Sequence, residues 1–320
     1  MEIGSFIELQ IPKGLEYYKG EKNIARLNSG RAAIWHAFRL LDCSCVWLPI
    51  YQCESVREFL IRKNVQIKYY HIDRSFMPVD IDQKPDEAVL LVNYFGIMSD
   101  RRMRELAAGY KNVIIDDSQA FFAAPIDGCM NVYSCRKFIG VPDGAYVIGE
   151  NAERYVDEYE QCFSSDTSLF LLQRIEYGCE GRAYANRTEN EERIDREDCM
   201  KMSALTRAIL DGTDHEFIIS KRRENFAYAE RLFGGANLLE LEGLMDGDAV
   251  PMVYPLAIRD ENAMERLRKA KHFQGRWWRY ITLEQDEDSF ECFLSRFMIP
   301  ITIDQRYGPK ELEYIKGNCL

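Results

Sequence analysis

The chain has 320 residues, 47% of them apolar and 29% charged, with a formal net charge of −11. These values fit a soluble globular protein long enough for a large unit and a smaller one. The acidic balance argues against nucleic-acid binding, and no apolar run approaches the roughly 20 residues needed to span a bilayer.

The start, from Met1 to Phe6, has no basic segment followed by a long apolar stretch, so a secretory leader is not expected and a cytoplasmic location is. The ten cysteines are scattered and none forms a Cys-x-x-Cys pair, which points to reduced thiols. The four histidines show no metal-ligand spacing, so no metal site is expected.

Residues 1–25, broken by Pro12, Gly14 and Gly20, read as an irregular arm. Asn28-Ser29-Gly30 precedes a helix pattern from Arg31 to Leu41, with Ser29 as its N-cap. Val46-Trp47-Leu48-Pro49 reads as a short strand, Ser55 to Lys63 as a helix and Gln66 to Ile72 as a strand. The run from Ala88 to Tyr94 is continuously apolar, as in a strand buried on both faces. A helix from Asp100 to Tyr110 and a strand at Val113-Ile114-Ile115 follow. This alternation predicts an α/β fold with a mostly parallel central sheet flanked by helices.

Residues 151–212 look helical and charged, with Asn186 to Asp198 as a solvated helix face or loop. Beyond them the pattern gives a helix from Glu216 to Phe233, a strand from Val253 to Ile258, helices near 261–271 and 286–297, and a strand at Met298-Ile299-Pro300-Ile301. The expected division is a larger unit over 1–212 and a smaller α+β unit over 213–320.

Four pieces of this pattern carry chemistry. Ser29-Gly30-Arg31 opens a helix, where free N–H groups and the positive end of the macrodipole suit a phosphate. Asp116-Asp117 ends a buried strand, the place where open α/β sheets hold ligands. Ser134-Cys135-Arg136-Lys137 offers a hydroxyl and an amine three residues apart. Tyr51 and Tyr94 are candidate flat covers for a ring. In chain order these are a phosphate cradle, a ring cover, a carboxylate for a ring nitrogen and a lysine for an aldehyde. That is the set pyridoxal 5′-phosphate (PLP) chemistry requires. Trp277-Trp278, between Arg276 and Arg279, is a further candidate for lining a substrate cleft.

In that order the sequence resembles the DegT/StrS group of sugar-nucleotide aminotransferases, within the fold-type I, aspartate aminotransferase-like PLP enzymes. Asn28-Ser29-Gly30-Arg31-Ala32-Ala33 is similar to the family's Ser-Gly-x-x-Ala-Leu turn. Val92 to Gly96 resembles its strand end, Asp116 to Ala120 its Glu-Asp-x-x-Gln-Ala motif, and Ser134 to Gly144 its lysine loop. Late in the chain Arg222-Arg223-x-Asn225-Phe226, Tyr254-Pro255 and Ile299 to Tyr307 also match.

The resemblance implies catalytic roles for Lys137, as Schiff-base lysine and acid/base, and for Asp117, rather than Asp116, as partner of the ring nitrogen. It implies cofactor contacts from Ser29, Gly30, Arg31, Ser134 and Gln119, and a ring cover at Tyr51 or, by simple spacing, Cys53. The implied reaction moves an amino group, from glutamate as donor, to a keto-sugar nucleotide for cell-surface polysaccharide, in a homodimer with active sites at the subunit interface. The lysine loop departs from the family: serine lies three residues before lysine instead of five, and the end is Pro142-Asp143-Gly144-Ala145. A dehydratase-like PLP enzyme and a non-catalytic homologue are the alternatives; related dehydratases replace the lysine, commonly with histidine.

Overall fold

The computed structural model describes residues 3–245, 247 and 249–320. The chain runs β1 (Ile24–Leu27), α1 (Gly30–Leu41), β2 (Cys45–Pro49), α2 (Glu54–Arg62), β3 (Gln66–Ile72), β4 (Pro78–Val79), β5 (Glu87–Val92), α3 (Asp100–Ala107), β6 (Val113–Asp117), β7 (Met130–Ser134) and β8 (Ala145–Ile148). Then come α4 (Leu169–Tyr177), α5 (Arg182–Arg196), α6 (Ala204–Asp211), α7 (His215–Phe233), β9 (Val253–Ala257), α8 (Ala263–Lys269), α9 (Ile281–Glu284), α10 (Phe290–Phe297), β10 (Met298–Thr302) and α11 (Pro309–Cys319).

Eight strands form one sheet in the order β1-β8-β7-β6-β5-β2-β3-β4. The five from β7 to β3 are mutually parallel, and β8, β1 and β4 are antiparallel additions. Every residue of β5, β6, β7 and β8 is buried, which explains their mostly apolar character and leaves Glu87, Asp116, Asp117, Asn131 and Ser134 as buried polar groups. Because β2, β5, β6 and β7 run the same way, their C-terminal ends and the segments that follow gather along one side of the sheet. These are Tyr51-Gln52-Cys53, Asn93-Tyr94-Phe95, Asp116-Asp117 and Ser134 to Lys137. The second sheet is the antiparallel pair β9–β10, packed with α7 and α10, while α11 packs on α7 and α8.

Several elements differ from the sequence pattern. Ile24–Leu27 is an edge strand paired with β8, and the terminal helix α11 was not visible in the periodicity. Residues 151–168 are mostly turn, so helix starts only at Leu169. The charged stretch does lie on a helix, α5, but four of its acids reach arginines: Glu191 pairs with Arg136, Glu192 with Arg196, Asp195 with Arg31 and Glu197 with Arg193. No described helix is long and apolar enough to cross a membrane.

Candidate active site

The helix that opens the site begins as its sequence dictates. Ser29 is extended at φ −151° and its Oγ accepts the Ala32 N–H at 3.4 Å, an N-cap bond. Gly30 then comes close to two other strand ends. A β-carbon built on Gly30 would stand 3.2 Å from Ser118 Oγ and 3.7 Å from Ser134 Cβ. A larger residue would fill the space between these hydroxyls and the helix N-terminus. Glycine is required here for close approach, not for its backbone angle. The Arg31 side chain is turned away, onto Asp195, so only its backbone N–H remains for a ligand at the helix start.

Strand parity decides what each acid faces. In the register of β6 and β7, Asp117 is opposite Tyr133 and Asp116 opposite Val132. Side chains alternate along each strand. Asp116 therefore shares its face with Ser134, beside Gly30. Asp117 shares the opposite face with Tyr133, whose ring packs 4.5 Å from that of Tyr18. The surroundings agree. Asp116 Oδ2 accepts Gln52 Nε2 at 3.0 Å and Oδ1 accepts the Ser118 N–H at 2.9 Å. Asp117 Oδ1 accepts Asn93 Nδ2 at 3.1 Å, and burial, aided by the neighbouring Asp116 charge, raises its carboxyl well above the ordinary aspartate range. Asp116 thus lies on the cradle's face, and Asp117, to which the resemblance gives the ring-nitrogen role, is a buried acid on the opposite face.

Gln119 is held by a strained turn that follows β5. Phe95 and Gly96 both have positive φ, at 59° and 69°, and a β-carbon on Gly96 would lie 2.3 Å from the Gln119 carbonyl oxygen. This turn aims the Phe95 N–H at Gln119 Oε1, 2.8 Å away, leaving the amide NH2 free for the cleft that Gln119 lines.

Lys137 lies in a short 3-10 turn after β7, exposed on the same cleft. Among the described residues it makes no hydrogen bond or ion pair. Its loop is nevertheless fixed. The Cys135 N–H bonds the Gly144 carbonyl at 3.1 Å, and the Gly144 N–H bonds Asn28 O at 2.8 Å, beside the cradle. Buried Asp143 accepts the Ser203 N–H at 3.0 Å and Ser203 Oγ at 2.6 Å, together with the Ser164 hydroxyl. Gln305 Nε2 reaches Phe138 O at 3.0 Å from the second sheet's side.

Of the three ring-cover candidates, two are buried and one lines the cleft. Tyr51 is fully buried, its ring 4.4 Å from Trp278 and 5.7 Å from Tyr94, and its hydroxyl has no partner. It is a core residue beneath the site. Tyr94 is buried with it, donating its hydroxyl to Tyr51 O at 2.8 Å. Cys53, the N-cap residue of α2, lines the cleft, as do Trp277 and Trp278. The tryptophans pack on Phe95 and Tyr51 from the same position, so they serve core and cleft together. The cleft has a volume of about 1900 Å³ and is lined by eleven Lys or Arg against six Asp or Glu. It is basic in a chain with 41 basic and 52 acidic residues, which suits an anionic ligand.

Sequence reasoning passed over Ser118. Its signal was spacing: in the family's Asp-x-x-Gln run, counting back three from Gln119 reaches Asp116 and leaves Ser118 inside the motif.

No protein-family model and no curated protein matches the sequence. Solved structures do match. A sugar aminotransferase from Micromonospora echinospora is 17% identical over 93% of this chain and 87% of its own, with TM-score 0.58. A DegT DnrJ EryC1 StrS aminotransferase from Brucella abortus is 12% identical over 94% and 86%, with TM-score 0.62. The E. coli GDP-4-keto-6-deoxy-D-mannose-3-dehydratase, solved with bound hydrated PLP, is 13% identical over 94% and 88%, with TM-score 0.64. The chain therefore has the fold-type I, aspartate aminotransferase-like fold found in DegT-type sugar aminotransferases and related PLP enzymes.

Proposed function

We propose that the chain is a PLP-dependent enzyme that moves an amino group from an amino acid donor, glutamate by expectation, to a keto-sugar nucleotide. The observation that carries this is the convergence of a carboxylate, two hydroxyls and a helix N-terminus on one face of β6 and β7, beside an unpaired lysine. Ser118, Ser134 and the first N–H groups of α1 would hold the phosphate, and Asp116 the ring nitrogen. Gln119 would face the ring's edge and Cys53 its open side. When bound, the cofactor supplies an aldehyde and an electron-withdrawing ring. Lys137 is the amine that meets that aldehyde and afterwards carries the proton at the donor's Cα. The basic cleft favours a substrate bearing phosphates.

A sugar dehydratase is the second reading, because such an enzyme is among the structures with this fold. A lysine at position 137 favours amino transfer over it. We also read the active unit as a homodimer. Phe6 and Ile7 are 90% and 80% exposed on the N-terminal arm, and α4 has no buried side chain although it carries Leu169, Leu172 and Ile175, surface that a second copy would cover. Within one chain, 1–212 would bind the cofactor and 213–320 would form the smaller unit.

The test is reductive trapping. Protein mixed with PLP and treated with borohydride should carry one cofactor on the peptide containing Lys137, and Lys137→Ala should carry none. The reading fails if the label lies elsewhere or is absent. A labelled enzyme that releases no keto acid from glutamate would favour the dehydratase.

A further inference from the structure

Asp116 is 4% exposed, and among the described residues no lysine, arginine or histidine pairs with it. Two neutral donors hold its carboxylate, the Ser118 N–H and the Gln52 side-chain amide. A buried charge normally has a counter-ion. In the reading above that counter-ion is the protonated ring nitrogen, so the aim of the carboxylate depends on what sets the two donors. Ser118 is local, bonding the acid two residues before it. Gln52 comes from the segment after β2, 64 residues earlier in the chain.

Gln52 is itself buried, at 4% exposure, and both ends of its amide are fixed. Oε1 accepts the Cys53 N–H at 2.8 Å, and Nε2 donates to Asp116 Oδ2 at 3.0 Å. A carboxylate only accepts and a backbone N–H only donates, so a flipped amide would lose both bonds. The main chain of Gln52 is held from far along the sequence. Tyr280 donates its hydroxyl to Gln52 O at 2.7 Å, across 228 residues. The Arg57 guanidinium lies 4.8 Å over the Tyr280 ring and pairs with Glu284 of α9 at 2.7 Å. Trp278, two residues before Tyr280, packs its ring 4.4 Å from that of Tyr51, which directly precedes Gln52. Ser295 Oγ donates to Trp278 O at 2.8 Å and ties this segment to α10. Trp278 also lines the cleft. Contacts therefore run without a break from the cleft wall, through Trp278 and Tyr280, to Gln52 and Asp116.

We infer that Gln52 is a positioning residue for the carboxylate that meets the ring nitrogen, and that the Tyr280 hydroxyl makes its setting depend on the cleft-wall segment around Trp278. This rests on the reading proposed above. A glutamine serving only the fold would find backbone at both ends of its amide. Here one end is committed to a buried acid on the cradle's face.

Binding of two related molecules separates positioning from folding. One is PLP. The other is its 1-deaza analogue, which keeps the aldehyde and the phosphate but has carbon in place of the ring nitrogen. Each is titrated spectroscopically into the full chain. Wild type should bind PLP about tenfold or more tightly than the analogue. Gln52→Met, of similar length but without a donor, should weaken PLP about tenfold and the analogue less than about twofold. Tyr280→Phe keeps the ring under Arg57 and should weaken PLP about threefold, again sparing the analogue. Equal losses for both molecules in either folded variant mean a merely structural role and overturn the inference, as does a PLP affinity that stays at the wild-type value. Should Gln52→Met fail to fold, Tyr280→Phe decides by the same comparison. A wild type with no preference for PLP over the analogue takes the ring nitrogen away from Asp116, and this inference with it. Reductive trapping on Lys137 stands apart from these outcomes. A trapped protein with no dependence on Gln52 loses only this inference, whereas a protein that is not trapped loses the cofactor reading itself.

Discussion

Exchanging Asp116 and Asp117 for asparagine, one at a time, separates the two faces of β6. Asp116 is set on the cradle side by Gln52 and Ser118, and as an ionised carboxylate it would pair with a protonated ring nitrogen. A hydrogen bond to a charged group contributes about 1.5–3 kcal/mol, so Asp116→Asn should weaken PLP about 10- to 100-fold. Asp117→Asn should change PLP affinity less than about twofold, since its carboxyl faces Asn93 and Tyr133 and an amide oxygen can still accept from Asn93. Stability gives a second, independent signature. The Asp117 pKa is raised in the folded state, so the folded protein keeps a proton that the unfolded chain releases near the ordinary value of 3.8. That contribution is whole below about pH 4 and is lost as pH rises toward the folded value, at about 1.4 kcal/mol per pH unit. Asparagine does not titrate. In urea unfolding, the stability of Asp117→Asn minus that of wild type should therefore grow as pH rises from 4, then level off. Spectroscopic PLP titration and unfolding at several pH values check both halves. Loss of cofactor in Asp117→Asn with retention in Asp116→Asn, or a stability difference flat in pH, would refute the assignment of faces.

The remaining expectations concern the cradle and the ring cover. Ser118→Ala and Ser134→Ala each remove one hydroxyl from the space under Gly30 and should each weaken PLP about fivefold, from about 1 kcal/mol per bond; a double variant that binds as wild type would show that the phosphate lies elsewhere. Tyr51→Phe deletes a buried hydroxyl with no partner, so thermal unfolding should show unchanged or higher stability, by up to about 1 kcal/mol, with PLP affinity untouched; a tenfold loss of affinity would return Tyr51 to the ring.

The order of the chemical residues was legible because each piece is local. A serine-glycine helix start, an acid pair ending an apolar strand and a lysine turn all announce themselves within a few residues. What was hidden depends on parity and packing. Asp116 and Asp117 are neighbours of the same type, and only pairing with β7 says which meets Ser134. Tyr51 looked like a ring cover because aromatic residues near a site resemble one another in sequence; its burial is created by Trp278, more than 200 residues later. Arg222 sits in a helix rich in charge, where nothing local distinguishes a solvated arginine from one sealed against Phe138. The edge strand β1 is four residues long and flanked by irregular chain, too short for a periodic signal.

Ser203 performs two tasks with a single hydroxyl. It accepts the Thr206 N–H at 3.1 Å to start α6 and donates to Asp143 at 2.6 Å to restrain the turn that bears Lys137. The reach of the amine is therefore coupled to the setting of a helix outside the cleft. Random variation around α6 should then shift the position of Lys137 while leaving the hydroxyls beside Gly30 in place, so a surface away from the cleft can reset the group that reaches into it.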